Sequence, residues 1–516
     1  MDANEDLVWE VAATHLPTLK RVVHVAFSRL VLRHIDPDAW AEEDAVNACL
    51  DLFERILTRK QQGHALSFIR QASLDEKKKL LSQLAQVDCD HLERLTHDFL
   101  DTQAVLLPNI RFEPAPVIEW PNTAADCLAA VAARAEGEKA LRAGRLACFL
   151  VAGGQGTRLG LSGPKGCFEI GPVTKRTLFQ IHAEKILALR RRYGTPFPWV
   201  IMTSTANDEE TRSFFSAQDF FGLKQESVFF CVQENMPAVS NDGKLLLESK
   251  VSLALSPNGH GGSIKALHAS GALHWLREQG ADTLFYFQVD NPLTKMCDPL
   301  FVGHHLLAQA DMSSKVLLKA NWDEKVGVVG YRDGKLGVIE YFDLPKNLAQ
   351  QTDAAGKLRF WAGNSAIHVL GVNFVERLNQ GGFQLPYHTI EKDFACIGVD
   401  GAPVQLRPGE KNGIKFETFV FDALPLARAT VTLETQREED FAPVKNAAGV
   451  DSPATARALL THQYVRWLEA AGHRVPRKAD GMPDCRLEIS PLTSLDGTEL
   501  SGQKIPEIKP GADVVL

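Results

Sequence analysis

The stretch LVAGGQGTRLGLSGPKG, residues 150–166, leaves an apolar run and passes through Gly153, Gly154, Gly156, Gly160 and Gly163. Lacking a Cβ, glycines let backbone N–H groups close around an anion, and Arg158 and Lys165 add the net charge that backbone dipoles lack. A guanidinium forks across two phosphate oxygens, whereas an ammonium acts as a compact point charge. The chemistry implied is phosphate binding, with a glycine-rich turn and incidental cations as the bland alternative. Two commoner phosphate loops are excluded. The Walker pattern needs Gly-Lys-Ser/Thr, but Lys165 follows Pro164 and precedes Gly166; the dinucleotide fingerprint fails because Leu159 stands where its third glycine belongs. A second candidate is Asp290, which follows the apolar run TLFYFQV and therefore belongs at a strand end, where a lone Asp is more often a turn cap.

An α/β framework is needed to hold these residues. Apolar runs at 146–151, 199–204, 227–233 and 283–289 read as buried strands, and 177–193 and 263–279 as helices. That alternation builds a mostly parallel sheet with helices on both faces. Ligands of such sheets bind beyond the carboxyl ends of the strands, where the glycine loop and Asp290 both fall. Inside VGVVGYRDGKLGVIEY, Asp333-Gly334 predicts a tight hairpin turn. Before residue 110, apolar residues recur at helical spacing and Lys77 to Lys79 read as a solvated helix face. The proline-spaced PNIRFEPAPVIEWPN then predicts an extended linker. The expected division is a helical region over 1–110, a central catalytic domain over 111–435, and a small C-terminal domain over 436–516. The last carries a helix near 454–471 and the strand-like pieces CRLEIS and ADVVL.

A chain of 516 residues exceeds one ordinary core. Its 45% hydrophobic and 23% charged residues are those of a globular protein, and no apolar run approaches the roughly 20 residues of a membrane span. The start, MDANEDLVWE, is acidic where a secretory signal is basic and then apolar, so the protein reads as cytoplasmic. A formal charge of −8 argues against nucleic acid as a partner without bearing on a single nucleotide. Nine cysteines with no C-x-x-C pair argue against a disulfide framework or structural zinc.

Gly-Gly-x-Gly-Thr-Arg-Leu-Gly followed by Pro-Lys-Gly resembles the signature loop of the UDP-sugar pyrophosphorylases, in particular the eukaryotic-type UDP-N-acetylglucosamine pyrophosphorylases. The resemblance continues through IMTS (201–204), DFFGL (219–223), VDN (289–291), IEY (339–341), GN (363–364), NGIKFETFVFD (412–422), REEDFAPVKNA (437–447), SPATAR (452–457) and EISPL (488–492). It implies a Rossmann-like nucleotide-diphospho-sugar transferase fold of the GT-A-like kind, with a central mixed sheet. It also implies a uridylyltransferase, in which a sugar 1-phosphate oxygen attacks the α-phosphorus of UTP in line, giving a UDP-sugar and pyrophosphate. The nucleophile is already anionic, so catalysis rests on positioning and charge neutralisation. Mg²⁺ is the cofactor expected, because a hard cation suits phosphate and carboxylate oxygens.

By that resemblance, the backbone of Val151, Ala152, Gly153 and Gly154, with Gln233 and Gly259, faces the uracil and ribose. Arg158 and Lys165 hold the β- and γ-phosphates, Lys445 and Lys415 supply further phosphate charge, and Asp290 holds the metal. Glu340, Tyr341, Asn364, Phe419 and Phe421 match sugar-pocket positions, although the alternation in FVF also permits plain packing on one strand face. His260, in GHGG, stands where the N-acetylglucosamine enzymes have Asn and the UDP-glucose pyrophosphorylases have His. N-acetylglucosamine 1-phosphate is the leading sugar, with glucose 1-phosphate or a broad sugar range beside it. A catalytically silent UTP or UDP-sugar binding protein is the competing class.

Overall fold

A computed structural model describes residues 42–104 and 110–516. The parts of the expected helical region at 1–41 and 105–109 lie outside the described residues. The chain divides into two compact units, one of Met1–Pro108, Asn235–Gly259 and Tyr387–Thr418, the other of Asn109–Glu234, His260–Pro386 and Phe419–Leu516.

In the smaller unit, α1 (Glu42–Arg59), α2 (Leu74–Leu84) and α3 (Cys89–Ala104) carry the helical spacing read from the sequence. A capping box opens α2: the Ser73 hydroxyl accepts from the Glu76 amide and the Glu76 carboxylate accepts from the Ser73 amide. Leu80, Leu81 and Leu84 of α2 pack with Val46, Cys49 and Phe53 of α1 and with Val239, Leu253, Ile414 and Phe416. On the polar side of α2, Lys77 donates to Asn47 and Lys79 is exposed.

In the larger unit, ten strands form one mixed sheet: β1 (Phe112–Pro114), β2 (Leu146–Val151), β3 (Trp199–Ser204), β4 (Val228–Gln233), β5 (Thr283–Gln288), β6 (Met312–Leu318), β7 (Val328–Arg332), β8 (Lys335–Ile339), β9 (Ala362–Gly371) and β10 (Thr430–Thr435). The path runs β1-β7-β9-β5-β2-β3-β4, with β8 on β7, β6 on β9 and β10 on β6. Neighbours are parallel through β5-β2-β3-β4 and between β6 and β10, and antiparallel around β9 and β7. Both faces of β2 are buried, as its unbroken apolar run requires. Leu146, Cys148 and Leu150 face α5 (Leu178–Tyr193), α9 (Pro299–Leu307) and α10 (Pro453–Ala470), as numbered with α4 (Ala124–Arg142), α6 (Asp208–Ala217), α7 (Gly262–Ala269) and α8 (Ala272–Glu278). Ala147 and Phe149 face the other way, toward α7 and α8. Residues 436–516 contribute Leu460, Leu468, Leu487 and Ile489 to the same core as β2.

The single helix expected over 263–279 is two helices. Gly271, in the left-handed region at φ +82°, ends one turn and starts the next, a conformation open to glycine at no steric cost. The hairpin forms as read: Arg332 pairs with Lys335, and Asp333 and Gly334 both take positive φ, the signature of a type I′ turn.

Candidate active site

Three of the parallel strands end side by side. Val151 pairs with Met202, and Ser204 with Gln233, so the chain leaving β2 passes between the ends of β3 and β4. The glycine loop is pinned there by its carbonyls. Ser204 Oγ donates to the Gly153 carbonyl at 2.8 Å, and Asn207 Nδ2 donates to those of Ala152 at 2.9 Å and Gly154 at 3.3 Å. The Lys165 amide donates to the Gly154 carbonyl and the Gly156 amide to that of Gly163, closing the loop on itself. A Cβ on Gly153 would stand 3.0 Å from Gln233 Oε1, whereas one on Gly154 would meet open space. Gly153 is thus required by close packing, and Gly154 leaves an open approach to the backbone. Arg158 is exposed, with no ion pair among the described residues.

Lys165 and Asp290 meet. Asp290 lies in the turn that follows β5, and its Oδ2 is 3.1 Å from Lys165 Nζ, with 9% and 19% of the two side chains exposed. The turn is fixed from behind by the Val444 amide, which donates to the Asp290 carbonyl at 2.9 Å.

Beside Asp290 opens a cavity of ≈ 180 Å³, lined by His260, Glu340, Asn364, Phe421 and Lys445 among others. Asn364 is aimed by a bulge: the β6–β9 register shifts between Ser314 and Val316, and opposite it Ala366 takes φ +58° while its amide donates to Asn364 Oδ1. His260 is oriented by the Val420 amide, which donates to its Nδ1 at 3.1 Å, so that nitrogen carries no proton. Its ring stacks on Phe419, with centroids 5.3 Å apart, and meets the edge of Phe421. Lys445 is half exposed, with Nζ 4.0 Å from Asp451 Oδ2.

Strand alternation does not explain the two phenylalanines. The strand ends at Glu417 and a 3-10 helix spans Val420–Leu426, so the rings come together, 5.1 Å apart, through a bend in the chain. Tyr341 is 45% exposed and packs on Phe342 outside the cavity lining. Gly259 and Lys415 belong to the smaller unit. Gly259 has φ +81° against Thr418, and Lys415 pairs with Glu417. The cavity also takes in Gln288 and Lys325, which sequence reading passed over; Lys325 sits in a loop with no local signal, and Gln288 was counted only as strand. The anchors Ser204 and Asn207 were missed as well, although IMTS marked the first. Among the described residues, no three His, Cys, Asp or Glu side chains cluster to hold a metal, and no helix is long and apolar enough to cross a membrane.

A mixed sheet whose parallel strands end at a glycine-rich loop, met by a carboxylate from the turn after the neighbouring strand, is the α/β architecture of the nucleotidyltransferase fold. The family model described as UTP--glucose-1-phosphate uridylyltransferase matches residues 121–509, and the chain belongs to that family. UDP-N-acetylglucosamine diphosphorylase 2 of Arabidopsis thaliana is 34% identical over 479 residues, covering 87% of this chain and 90% of the relative. A UDP-N-acetylglucosamine pyrophosphorylase from Saccharomyces cerevisiae is 35% identical over 376 residues, 71% of this chain and 77% of the relative. Among solved structures, the uridine diphosphate N-acetylglucosamine pyrophosphorylase of Trypanosoma brucei in complex with inhibitor aligns with a TM-score of 0.74 at 29% identity, covering 88% of this chain and 94% of that one.

Proposed function

We propose that this chain transfers the uridylyl group of UTP to a sugar 1-phosphate and releases pyrophosphate. The observation that carries the reading is the Lys165–Asp290 pair, which joins the glycine-rich loop after β2 to the turn after β5 and borders the cavity that holds His260, Glu340, Asn364 and Lys445. The loop at 151–165 takes the nucleotide, with its amides and Lys165 against the phosphates and Arg158 reaching them from the exposed side. The incoming sugar phosphate is its own nucleophile, so no side chain need remove a proton. What the residues supply is alignment for in-line attack and positive charge where the leaving pyrophosphate gathers negative charge.

A single carboxylate, Asp290, in contact with Lys165 of the glycine-rich loop fits Mg²⁺ better than a metal needing an all-protein cage, since Mg²⁺ keeps several waters and binds through one or two carboxylates plus phosphate oxygens. Asp290 would hold it, and a bound Mg²⁺ would withdraw charge from the phosphates of UTP. N-acetylglucosamine 1-phosphate is the sugar we favour, from relatives of that name along most of the chain. His260 favours a second reading, glucose 1-phosphate or a broad range, because its ring is built into the cavity wall. We further propose a cytoplasmic protein, with 1–110, 111–435 and 436–516 as its helical, catalytic and C-terminal parts.

The test is pyrophosphate release from UTP and Mg²⁺ with N-acetylglucosamine, glucose and galactose 1-phosphates in turn. Release with at least one is expected. UTP binding without release from any of them would identify a silent binding protein instead.

A further inference from the structure

Lys315 stands in the middle of β6 and is 1% exposed, as is the side chain of Asp440. A buried ammonium is costly unless it is paired, and this one lies between two carboxylates. Its Nζ donates to Asp440 Oδ2 at 2.5 Å and lies 3.0 Å from Asp298 Oδ2. Asp440 is saturated in turn: Oδ2 also accepts from Thr435 Oγ1 and Oδ1 from the Lys295 amide, each at 2.6 Å. Buried ion pairs add little stability over apolar packing, so their use is sought in what they arrange.

Here they arrange the site. The Asp440 carbonyl accepts from Asn291 Nδ2 at 2.6 Å, Asn291 Oδ1 accepts from the Ala442 amide at 3.0 Å, and the Asp290 carbonyl accepts from the Val444 amide at 2.9 Å. These bonds zip the Asp290–Asn291 turn to 440–444, and Lys445 follows at once. On the other side, the Lys315 carbonyl accepts from Ser365 Oγ at 2.8 Å, beside Asn364 in the bulge. Asp290, Lys445 and Asn364 are thus each tied to a segment that carries one member of the buried pair.

We infer that Lys315 and Asp440 are positioning residues that hold Asp290 and Lys445 as a single rigid piece, and that turnover depends on them. The inference rests on the uridylyltransferase reading above. It predicts loss of rate without loss of nucleotide binding, because the loop at 151–165 is anchored separately by Ser204 and Asn207.

Two variants test it. Asp440→Asn keeps the shape but sets an amide against three donors; Lys315→Met with Asp440→Leu removes both charges together and leaves Asp298 with Lys295, 3.8 Å away, as its remaining ammonium partner. In each, kcat should fall by roughly 10–100-fold, the scale for misplaced reacting groups. KM for UTP, and UTP affinity measured by calorimetry without divalent ions, should stay within about threefold of the parent. Wild-type kcat in the cooperatively folded double variant overturns the inference, as does parallel loss of kcat and UTP affinity. Absence of both turnover and UTP binding in the unaltered protein would instead remove the functional reading beneath it.

Discussion

Lys165 and Asp290 are 125 positions apart in the chain and 3.1 Å apart in the fold. Lys165→Ala and Asp290→Ala should each lower turnover by about a hundredfold or more, the scale for one preorganised charge contact. Because the two side chains act on one another, the double variant should lose much less than the product of the single effects, and pyrophosphate release from all three proteins measures this. At the sugar side, His260→Asn removes the ring that stacks on Phe419 and supplies an amide in its place. The ratio of kcat/KM for N-acetylglucosamine 1-phosphate over that for glucose 1-phosphate should rise by about fivefold or more, a modest value for one polar contact in a sugar pocket. An unchanged ratio would relieve His260 of any part in sugar selection. Phosphate chemistry around the loop could be read from residue types and spacing, whereas the roles expected of Asp290 and His260 came from the family resemblance. The anchors were not legible, since Ser204 and Asn207 act on carbonyls of a segment some fifty positions away, and nothing local marks that partnership.

At the scale of elements, β2 and β3 take the bounds 146–151 and 199–204 read from the sequence, because both are buried on both faces and only Thr203 and Ser204, at the end of β3, break the apolar run. The break at Gly271 was hidden, since a glycine inside a helix costs only about 1 kcal/mol and does not by itself announce an end. The bulge that aims Asn364 was hidden for another reason: it belongs to the pairing of β6 with β9, which no local pattern encodes. Glycine matters differently where α4 crosses α9. A Cβ on Gly303 would lie 1.6 Å from the Ala133 carbonyl oxygen, and one on Gly137 would lie 1.9 Å from that of Pro299. Helix propensity favours alanine by about 1 kcal/mol, whereas forcing two backbones apart costs about 1–3 kcal/mol or more. Gly303→Ala should therefore lower the thermal unfolding midpoint. A rise would show that the crossing yields more readily than its geometry implies.

The larger unit as a whole should be acid-sensitive, and the cause lies in three buried histidines. Burial lowers the imidazole pKa of His182 to about 3, of His305 to about 4 and of His368 to about 3, from an ordinary 6.5. His182 donates through Nε2 to the Val289 carbonyl while its Nδ1 has no partner among the described residues; His368 Nδ1 bonds Ser314 and its Nε2 has none. A proton added at either empty nitrogen would be a buried charge without an acceptor. The unfolded chain takes up these protons near pH 6.5 and the folded one only near 3 to 4, so the histidines' share of stability is complete above 6.5 and falls as pH drops through that window. One unit below 6.5, each histidine costs about 1.4 kcal/mol, and three together approach the lower end of a typical folding free energy. Carboxylates enter later: despite burial, Lys315 and Lys295 hold Asp298 below its ordinary 3.8, so its contribution is lost only in stronger acid. Because His182 sits against Val289, next to Asp290, its protonation should strain the site as well as the fold. Burial also lowers the Lys185 ammonium pKa to about 7, so thermal midpoints should already slip between pH 8 and 7 and then decline more steeply to pH 5.5 as the histidines add their part. His182→Gln, whose amide can still donate to Val289, should remove about a third of the histidines' part of that decline. An undiminished decline in the variant would mean that His182 does not remain neutral in the fold.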